Sequence, residues 1–219
     1  MKQARKDFDI EKIYTLDDAL QSVADFPKVK FDEAVELHLH LNIDPKNSDQ
    51  MVRGTVTLPH GSGRTVRIAA FCKGEMEHKA KEAGADFVGH KELIEKVSKG
   101  FLDFDVVVAT PDMMRDLSKL GKVLGPRGLM PTPKAGTVSQ DLEKAISEIK
   151  SGKVEFKADK QSGIHISFGK RSFSKDQLLV NAQHLIDAIN HVKPNSVKGN
   201  LIKSVHVTTT MGPGLKVAI

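Results

Sequence analysis

The pattern of apolar and polar positions changes twice along the chain. Strict alternation, which is typical of half-buried strands, occurs at residues 35–41, 52–58, 154–157, 164–168 and 205–210. Between the second and third of these stretches, short apolar runs alternate with segments of helical period. Three consecutive valines at 106–108 indicate a strand that is covered on both faces. The pattern therefore predicts antiparallel pairing near both ends of the chain and a parallel sheet in the middle.

This order of elements predicts an α/β protein in which one domain is inserted into another. Residues 1–63 and 154–219 are expected to form one discontinuous antiparallel α+β domain, and residues 64–153 the inserted parallel α/β domain. In the discontinuous domain, apolar stripes at 16–23 and 178–192 predict two helices. Because the strands at 35–41 and 52–58 follow one another, we expect them to pair at a sheet edge.

The inserted segment holds one long stretch without a regular period. Residues 120–137 contain four glycines and three prolines, carry Arg127 and Lys134, and hold no acid. A loop of this length inside a compact domain is usually functional. The two cations are therefore candidate RNA contacts, and a purely structural glycine-proline loop is the equal alternative. Ser139 is predicted to cap the helix that follows.

The last strand leads into a turn with an unusual surface. Val205 and Val207 alternate with polar residues, three threonines follow, and Met211-Gly212-Pro213-Gly214 interrupts the strand. Glycine tolerates positive φ, which we take as the reason for glycine in this turn. The turn offers hydroxyls, a thioether and accessible backbone, and it holds no carboxylate, thiol or histidine cluster for catalysis.

The charge of the chain is concentrated around this turn. The net charge is +5, yet residues 160–219 alone hold eight basic and two acidic residues, which is +6 and leaves −1 for the first 159. Such localisation predicts a polyanionic partner. The alternative is a solvated lysine-rich surface without a partner. A membrane surface is disfavoured, because the cations do not share one face of an amphipathic helix.

Several function classes lack their motifs. Gly61-Ser62-Gly63 resembles half of a dinucleotide fingerprint but precedes its strand, and Gly125-Pro126-Arg127-Gly128 lacks the ending of a phosphate-binding P-loop. No catalytic triad or paired-carboxylate signature is evident. There is no apolar run long enough to span a membrane and no apolar core for a secretory signal near the N-terminus. We therefore predict a protein that is not an enzyme and has no cofactor.

Two residue types that often carry chemistry, cysteine and histidine, are interpreted as inert here, and one aromatic residue is left with two interpretations. Cys72, the single cysteine, rules out an intrachain disulfide and is predicted to pack rather than react. His38 and His40 share one strand face, but no third ligand lies nearby in sequence, so no metal site is predicted. Phe31 begins a strand and either stacks on a nucleotide or anchors the core.

Motifs spread over most of the chain resemble the ribosomal protein L-one family. They are Lys30-Phe31-Asp32-Glu33, Asp44-Pro45, Val52-Arg53-Gly54-Thr55-Val56-Thr57-Leu58-Pro59-His60-Gly61, Ala109-Thr110-Pro111-Asp112, Leu124-Gly125-Pro126-Arg127-Gly128-Leu129-Met130-Pro131, Lys134-Ala135-Gly136-Thr137-Val138 and Thr209-Thr210-Met211-Gly212-Pro213. The resemblance runs in order from about residue 15 to the C-terminus, and its details are similar to the bacterial or organellar form.

The resemblance implies an RNA-binding protein of the large ribosomal subunit. The family has a discontinuous RNA-binding domain and an inserted Rossmann-like domain that binds no dinucleotide. It binds large-subunit rRNA to form the mobile stalk near the exit-site tRNA, assists release of deacylated tRNA, and in bacteria represses its own operon mRNA. The implied location is the ribosome of the bacterial cytoplasm or an organelle. The free protein is expected to be monomeric and away from membranes.

The family's RNA contacts map onto named positions of this chain. They fall on Lys30, Phe31, Glu36, Ser204, Thr210, Met211 and Gly212, with His165, Lys170 and Lys203 as further RNA-binding candidates. One contact position that is often Thr or Ser is Ala34 here, so a hydroxyl contact is lost. We interpret Glu36 as an acceptor for a ribose hydroxyl or base amine.

Two other functions are weighed beside this one. An α/β enzyme with a nucleotide cofactor fits the parallel domain but lacks the phosphate-binding signature. A free-standing RNA-binding repressor would use the same surface chemistry away from the ribosome. Co-sedimentation with large subunits would separate the repressor from a ribosomal protein.

Overall fold

The computed structural model describes residues 12–27 and 29–218, except for the side chain of Ser48. The first residues of the chain, in which we predict no secretory signal, lie outside the described part. Among the helices described, none is both long and apolar enough to cross a membrane.

Strands from the two ends of the described chain share one sheet, and the strands between them form others. The strands described are β1 (Ile13–Tyr14), β2 (Ala34–Leu41), β3 (Arg53–Thr57), β4 (Ile68–Phe71), β5 (Phe87–Gly89), β6 (Val106–Ala109), β7 (Lys153–Lys157), β8 (Gly163–Lys170), β9 (Ile202–Thr209) and β10 (Leu215–Val217). The α-helices described are α1 (Leu16–Asp25), α2 (Glu75–Glu82), α3 (Lys91–Ser98), α4 (Met114–Leu117), α5 (Gly121–Leu124), α6 (Leu142–Lys150) and α7 (Lys175–His191).

The chain divides into two compact units. One holds the described residues up to Gly63 together with 152–218, and the other holds Arg64–Ser151. The first unit is built mainly on antiparallel strands with helices, although β1 is parallel to β10, and the second is built on parallel strands. The α/β fold class is thereby confirmed. That these units are independent domains with the boundaries given above stays a prediction.

The larger sheet of the first unit has β2 near its centre. Its strand order is β1-β10-β9-β2-β8, and β2 is antiparallel to both β8 and β9. Alternate residues of β2, from Val35 to Leu41, are buried in a core that α1 and α7 share. The alternation along β2 therefore reflects a strand with one face packed on the core and the other towards solvent.

The predicted pairing of the strands at 35–41 and 52–58 is wrong. β3 pairs instead with β7 as a separate two-stranded ribbon, and β2 pairs with two strands from the C-terminal part of the chain. Alternation indicates which face of a strand is apolar, but it carries no information about which strand lies alongside. The two strands that flank β2 begin at Gly163 and Ile202, far from it in sequence, so tertiary packing decided the partners.

The second unit has a three-stranded parallel sheet with the order β5-β4-β6. Ala69 and Phe71 of β4 point into one apolar cluster, and Ile68 and Ala70 into another. A parallel bridge between Ala109 and Val138 extends the sheet beyond β6. Helix-covered faces of this kind explain why the strand sequences are apolar throughout.

Two local predictions in this unit need correction. Part of the stretch 120–137 is helical, since α5 and a 3₁₀ turn at Pro133–Ala135 lie within it. Asp141, not Ser139, caps α6, because the Asp141 carboxylate accepts from Lys144 N at 3.2 Å. Ser139 instead accepts from Asp141 N at 3.0 Å and so positions the cap. Both residue types suit caps, and local backbone geometry selects between them.

Candidate functional site

The turn that follows β9, residues 210–214, is called the terminal turn below. It is bonded to the beginning of β2. Thr210 N donates to Ala34 O at 3.1 Å, and Thr210 Oγ1 accepts from Ala34 N at 3.1 Å. Gly212 N donates to Thr209 O at 3.1 Å. The exposed Thr210 hydroxyl is thus already oriented by the neighbouring strand, and it also makes a long bond of 3.5 Å to Ala34 O as donor.

A buried carboxylate holds this turn in place. Glu33, just before β2, is 1% exposed. Its Oε1 accepts from Thr209 Oγ1 and from Met211 N, each at 3.0 Å, and its Oε2 accepts from Arg171 Nη1 at 2.8 Å. One side chain therefore ties the turn to the segment before β2 and to the segment after β8.

Arg171 completes a charge network beneath the turn. Its guanidinium donates to the carbonyl oxygens of Ala24 at 3.1 Å and Pro27 at 2.9 Å, and to that of Phe26. These carbonyls and Glu33 satisfy a cation that is largely removed from water. The network fixes the end of α1, the entry to β2 and the terminal turn relative to one another.

The two glycines of the turn have different roles. A methyl group at Gly212 would lie 2.5 Å from Thr209 Oγ1 and 2.7 Å from two ring carbons of the buried Phe26, whereas nothing lies within 4 Å of one at Gly214. Neither glycine has positive φ, so the predicted conformational reason is wrong. Close packing against Phe26 requires glycine at position 212.

Two apolar side chains project from this end of the sheet. Phe31 is 54% exposed and Met211 is 50% exposed. Phe31 also lines a shallow groove of about 310 Å³ with Val29 and Arg171. The alternative that Phe31 anchors the core is wrong, because half of its surface remains in contact with water.

Two lysines lie at the same end of the sheet as these two side chains. Lys30 is exposed beside Phe31. Lys170 pairs with Ala34 across β2 and β8, and its Nζ donates to Asp32 O at 3.3 Å. The structure thus brings together six of the predicted RNA-binding residues at one end of the sheet: Lys30, Phe31, Lys170, Thr210, Met211 and Gly212.

Four further candidates lie along the solvent-facing side of the sheet. Glu36 is opposite Thr208 of β9, and His165 of β8 is opposite His38 of β2. Ser204 is opposite His40, six residues before Thr210, which places it roughly 20 Å away along the strand. Ser204 and Lys203 therefore belong to the far end of the sheet, where they line a cleft of about 780 Å³.

Acidification is expected to destabilise this sheet. Burial lowers the pKa of His38 below its usual 6.5, and the neighbouring His165 lowers it further. Burial and then Lys216 lower the pKa of His206. Because the unfolded chain binds protons more readily at these two sites, the stabilisation is present above pH 6.5. It is lost as the pH falls through 6.5 towards the lower folded-state pKa values.

We expect the free energy of unfolding to fall between about pH 7.5 and 5, as measured by urea denaturation. The double variant His38→Gln, His206→Gln should have a flatter dependence over this window. Burial makes their neutral forms the stable ones, so glutamine removes the proton uptake on unfolding. An equal pH dependence in wild type and the double variant would contradict this explanation. The matched control is His184→Gln on α7, which is exposed.

No reactive thiol accompanies the candidate site. Cys72 is buried, and burial raises the pKa of its thiol to about 11. At neutral pH the thiol therefore keeps its proton and is a poor nucleophile. The described residues also hold no group of three or more His, Cys, Asp or Glu placed to bind a metal ion.

Comparison with known proteins gives a consistent result. The model of the ribosomal protein L1p/L10e family matches residues 20–213. The chain is 55% identical over 216 residues to the large ribosomal subunit protein uL1 of Solidesulfovibrio magneticus, covering 99% of this chain and 92% of the relative. The chain belongs to the ribosomal protein L1p/L10e family. The resemblance stated from the motifs is confirmed.

Further members of the family match to a similar extent. The proteins named uL1 of Protochlamydia amoebophila and Kosmotoga olearia are 52% and 50% identical over 217 and 214 residues. These matches cover 99% and 98% of this chain, and 92% and 93% of the respective relatives. The similarity therefore extends over both compact units.

Sequence reasoning missed the residues that hold the terminal turn of this chain in place. Glu33 lies within a quoted motif, Lys30-Phe31-Asp32-Glu33, but nothing in that tetrapeptide distinguishes the buried carboxylate from the exposed Asp32. In the sequence, Arg171 is only one of the eight basic residues of the segment 160–219. An arginine that pairs with a carboxylate 138 positions earlier is visible only after β2 and β8 are placed side by side.

Proposed function

We propose that this chain is a structural constituent of the large ribosomal subunit that binds the rRNA of the mobile stalk near the tRNA exit site. Family membership supports the ribosomal role, since the reported relatives are large ribosomal subunit proteins. The observation that carries the rRNA contact is the terminal turn, which Glu33 fixes from below while Phe31, Thr210 and Met211 remain exposed above.

The proposed interface reads RNA shape with a preformed surface. Phe31 and Met211 provide apolar contact to bases or riboses, the Thr210 hydroxyl contacts ribose and phosphate groups, and the Gly212 carbonyl accepts from a ribose hydroxyl. Because the buried network already orders the turn, binding costs little conformational entropy here. Lys30 and Lys170 supply salt-dependent attraction beside it.

The same RNA is proposed to run along the solvent-facing side of the larger sheet, which is its open face. Glu36 and His165 lie between the turn and the far end, where Ser204 and Lys203 are found. A helix or bend that touches both Thr210 and Ser204 must span roughly 20 Å along β9. Recognition over this length favours a structured RNA stalk over a short single-stranded segment.

Thr210→Val should weaken binding to the stalk rRNA fragment by about 1–3 kcal/mol, because the variant keeps the shape of threonine but loses its hydroxyl. The dependence of affinity on salt should not change, since no charge is lost. Fluorescence anisotropy across a salt series measures both quantities. Lys203→Ala is the contrasting variant, for which the slope of log K against log salt should flatten by roughly 0.7–0.9.

A conservative variant separates RNA contact from folding of the turn. Thr210→Ser retains the hydroxyl and should bind nearly as wild type, whereas Thr210→Val also leaves Ala34 N without its side-chain acceptor. Unfolding measured beside binding reveals any loosening of the turn. If wild type binds the fragment no better than an unrelated hairpin, the proposed rRNA contact is wrong.

The finer parts of the function are proposed with it. We infer that the chain assists release of deacylated tRNA and represses translation of its own operon mRNA, that it is monomeric when free, and that it acts on ribosomes of the bacterial cytoplasm. The role is non-catalytic and needs no cofactor, and the buried, protonated Cys72 is in keeping with that. Loss of the chain from purified large subunits would favour the free-standing repressor instead.

A further inference from the structure

Four side chains form a straight row across the open face of the larger sheet. His38 of β2 is directly opposite His165 of β8 on one side and His206 of β9 on the other. His206 is in turn opposite Lys216 of β10. Neighbouring strands lie about 4.8 Å apart, so the row spans roughly 14 Å perpendicular to the strands. These residues are dispersed in sequence and meet only through the strand register.

The first two histidines are joined directly. Nδ1 of His38 and Nδ1 of His165 lie 2.6 Å apart, with ring centroids separated by 4.9 Å. The outer nitrogens face carboxylates: His38 Nε2 is 3.4 Å from Glu36 Oε2, and His165 Nε2 is 3.6 Å from Asp159 Oδ2. The order along this chain of contacts is thus carboxylate, imidazole, imidazole, carboxylate.

This order determines how many protons the pair can accept. Two neutral imidazoles carry two N–H protons in total. The chain of contacts has three places where a donated proton makes a hydrogen bond: between His38 and Glu36, between His165 and Asp159, and between the two rings. A single additional proton fills all three positions. A second would place two N–H donors against each other across 2.6 Å. The pair is therefore built to accept one positive charge.

The surroundings of the row leave room for an anion. Of the titratable and charged groups near it, Glu36 and His40 are on β2, Asp159 is in the turn before β8, and Lys216 is on β10. The β9 neighbours of His206 on this face, Ser204 and Thr208, are uncharged. α1 and α7 pack on the opposite face and do not cover the row.

The row also continues into the basic cleft at the far end of the sheet. Lys216 lines this cleft together with Lys193, Lys203 and Ser204, and no acidic side chain is among the described residues that line it. Lysines and a hydroxyl around an open cleft suit phosphate groups. One end of the row thus leads to fixed positive charge, and the other to the histidine pair.

We propose that the row His165, His38, His206 and Lys216 is a second RNA-backbone contact whose affinity for phosphates rises as the pH falls. The inference rests on the proposed function, because it assumes that RNA lies on this sheet. The His38–His165 pair takes up one proton and His206 another when phosphates approach. The lowered pKa values of His38 and His206 keep both neutral in the free protein near pH 7.

The test is binding of the stalk rRNA fragment at about pH 8 and about pH 5.5, across a salt series. Wild type should bind roughly tenfold more tightly at the lower pH, and the slope of log K against log salt should steepen by roughly 1.5, corresponding to two additional phosphate contacts. The double variant His38→Gln, His206→Gln, which also removes the contact between His38 and His165, should keep its affinity at pH 8 and lose both changes.

A matched control excludes protonation of the RNA or of other histidines. The variant His184→Gln, His191→Gln changes two histidines of α7, on the helix side of the sheet, and should retain the full increase. The single variant His206→Gln, which leaves the His38–His165 contact intact, should lose about half of the steepening in the salt slope. It serves as the second variant should the double substitution unfold the sheet.

The possible outcomes separate this inference from the proposed function. Tight binding at pH 8 with no increase at pH 5.5, or an increase that persists in the double variant and in His206→Gln, overturns the histidine row and leaves the terminal turn as the rRNA contact. Failure of wild type to prefer the stalk fragment at either pH overturns both. Loss of the increase only in the row variants supports the inference.

Discussion

Replacing Glu33 with alanine will lower the free energy of unfolding by about 3–5 kcal/mol, because it leaves Arg171 as a buried charge without its anion. It also removes the acceptor for Thr209 Oγ1 and Met211 N, so the terminal turn loses two bonds that hold it to the segment before β2. Affinity for the stalk rRNA fragment should fall by tenfold or more under conditions in which the variant is still folded. Urea denaturation and anisotropy measure the two effects.

The neighbouring carboxylate provides the control for this prediction. Asp32 accepts from Ser172 N at 3.1 Å and Ser172 Oγ at 2.8 Å at an exposed position. Asp32→Ala should cost about 1 kcal/mol, as for an ordinary hydrogen bond. Equal losses for the two variants would show that burial of Glu33 does not carry the effect. A double-mutant cycle with Arg171→Met isolates the ion pair from the other contacts.

Gly212→Ala is expected to displace the terminal turn. The added methyl group would lie 2.7 Å from two carbons of Phe26, whose ring is buried and has little room to move. Overpacking of this kind costs about 1–3 kcal/mol. The larger effect is on binding, since Thr210 and Met211 immediately precede the site of strain, and we expect the affinity for the stalk rRNA fragment to fall at least tenfold.

Gly214→Ala distinguishes strain from a general sensitivity of the turn. Nothing lies within 4 Å of the added methyl group, so both stability and affinity should remain close to wild type. A combined variant, Gly212→Ala with Phe26→Leu, should recover part of the binding, because a smaller side chain makes room for the methyl group. If Gly212→Ala binds as tightly as wild type, the turn does not need this close approach for recognition.

Much of the candidate site was predictable because it is local in sequence. Thr210, Met211 and Gly212 are consecutive, and the alternation before them predicts the strand that presents them. Lys30 and Phe31 were placed by the family motif. The position of Ser204 at the far end of the sheet also follows from the length of β9, since each strand residue advances about 3.3 Å.

The other features depend on contacts between distant segments. Alternation showed that β2 has one apolar face, yet its partners β8 and β9 come from 122 or more residues later. Glu33 looked no different from Asp32, because burial of a carboxylate depends on which cation and which amides surround it. The histidine row likewise exists only in one register, and a shift of one residue would turn His38 to the core.

The sequence by itself determined the α/β class, the family and the surface chemistry of the terminal turn, because periodicity and contiguous motifs are properties of neighbouring residues. Only the tertiary structure decided that Glu33 and Arg171 form a buried pair beneath that turn. It alone aligned three histidines and Lys216 across four strands. The physical reason is that strand pairing is long-range: hydrogen-bond register and helix packing bring together side chains whose separation in sequence carries no local signal.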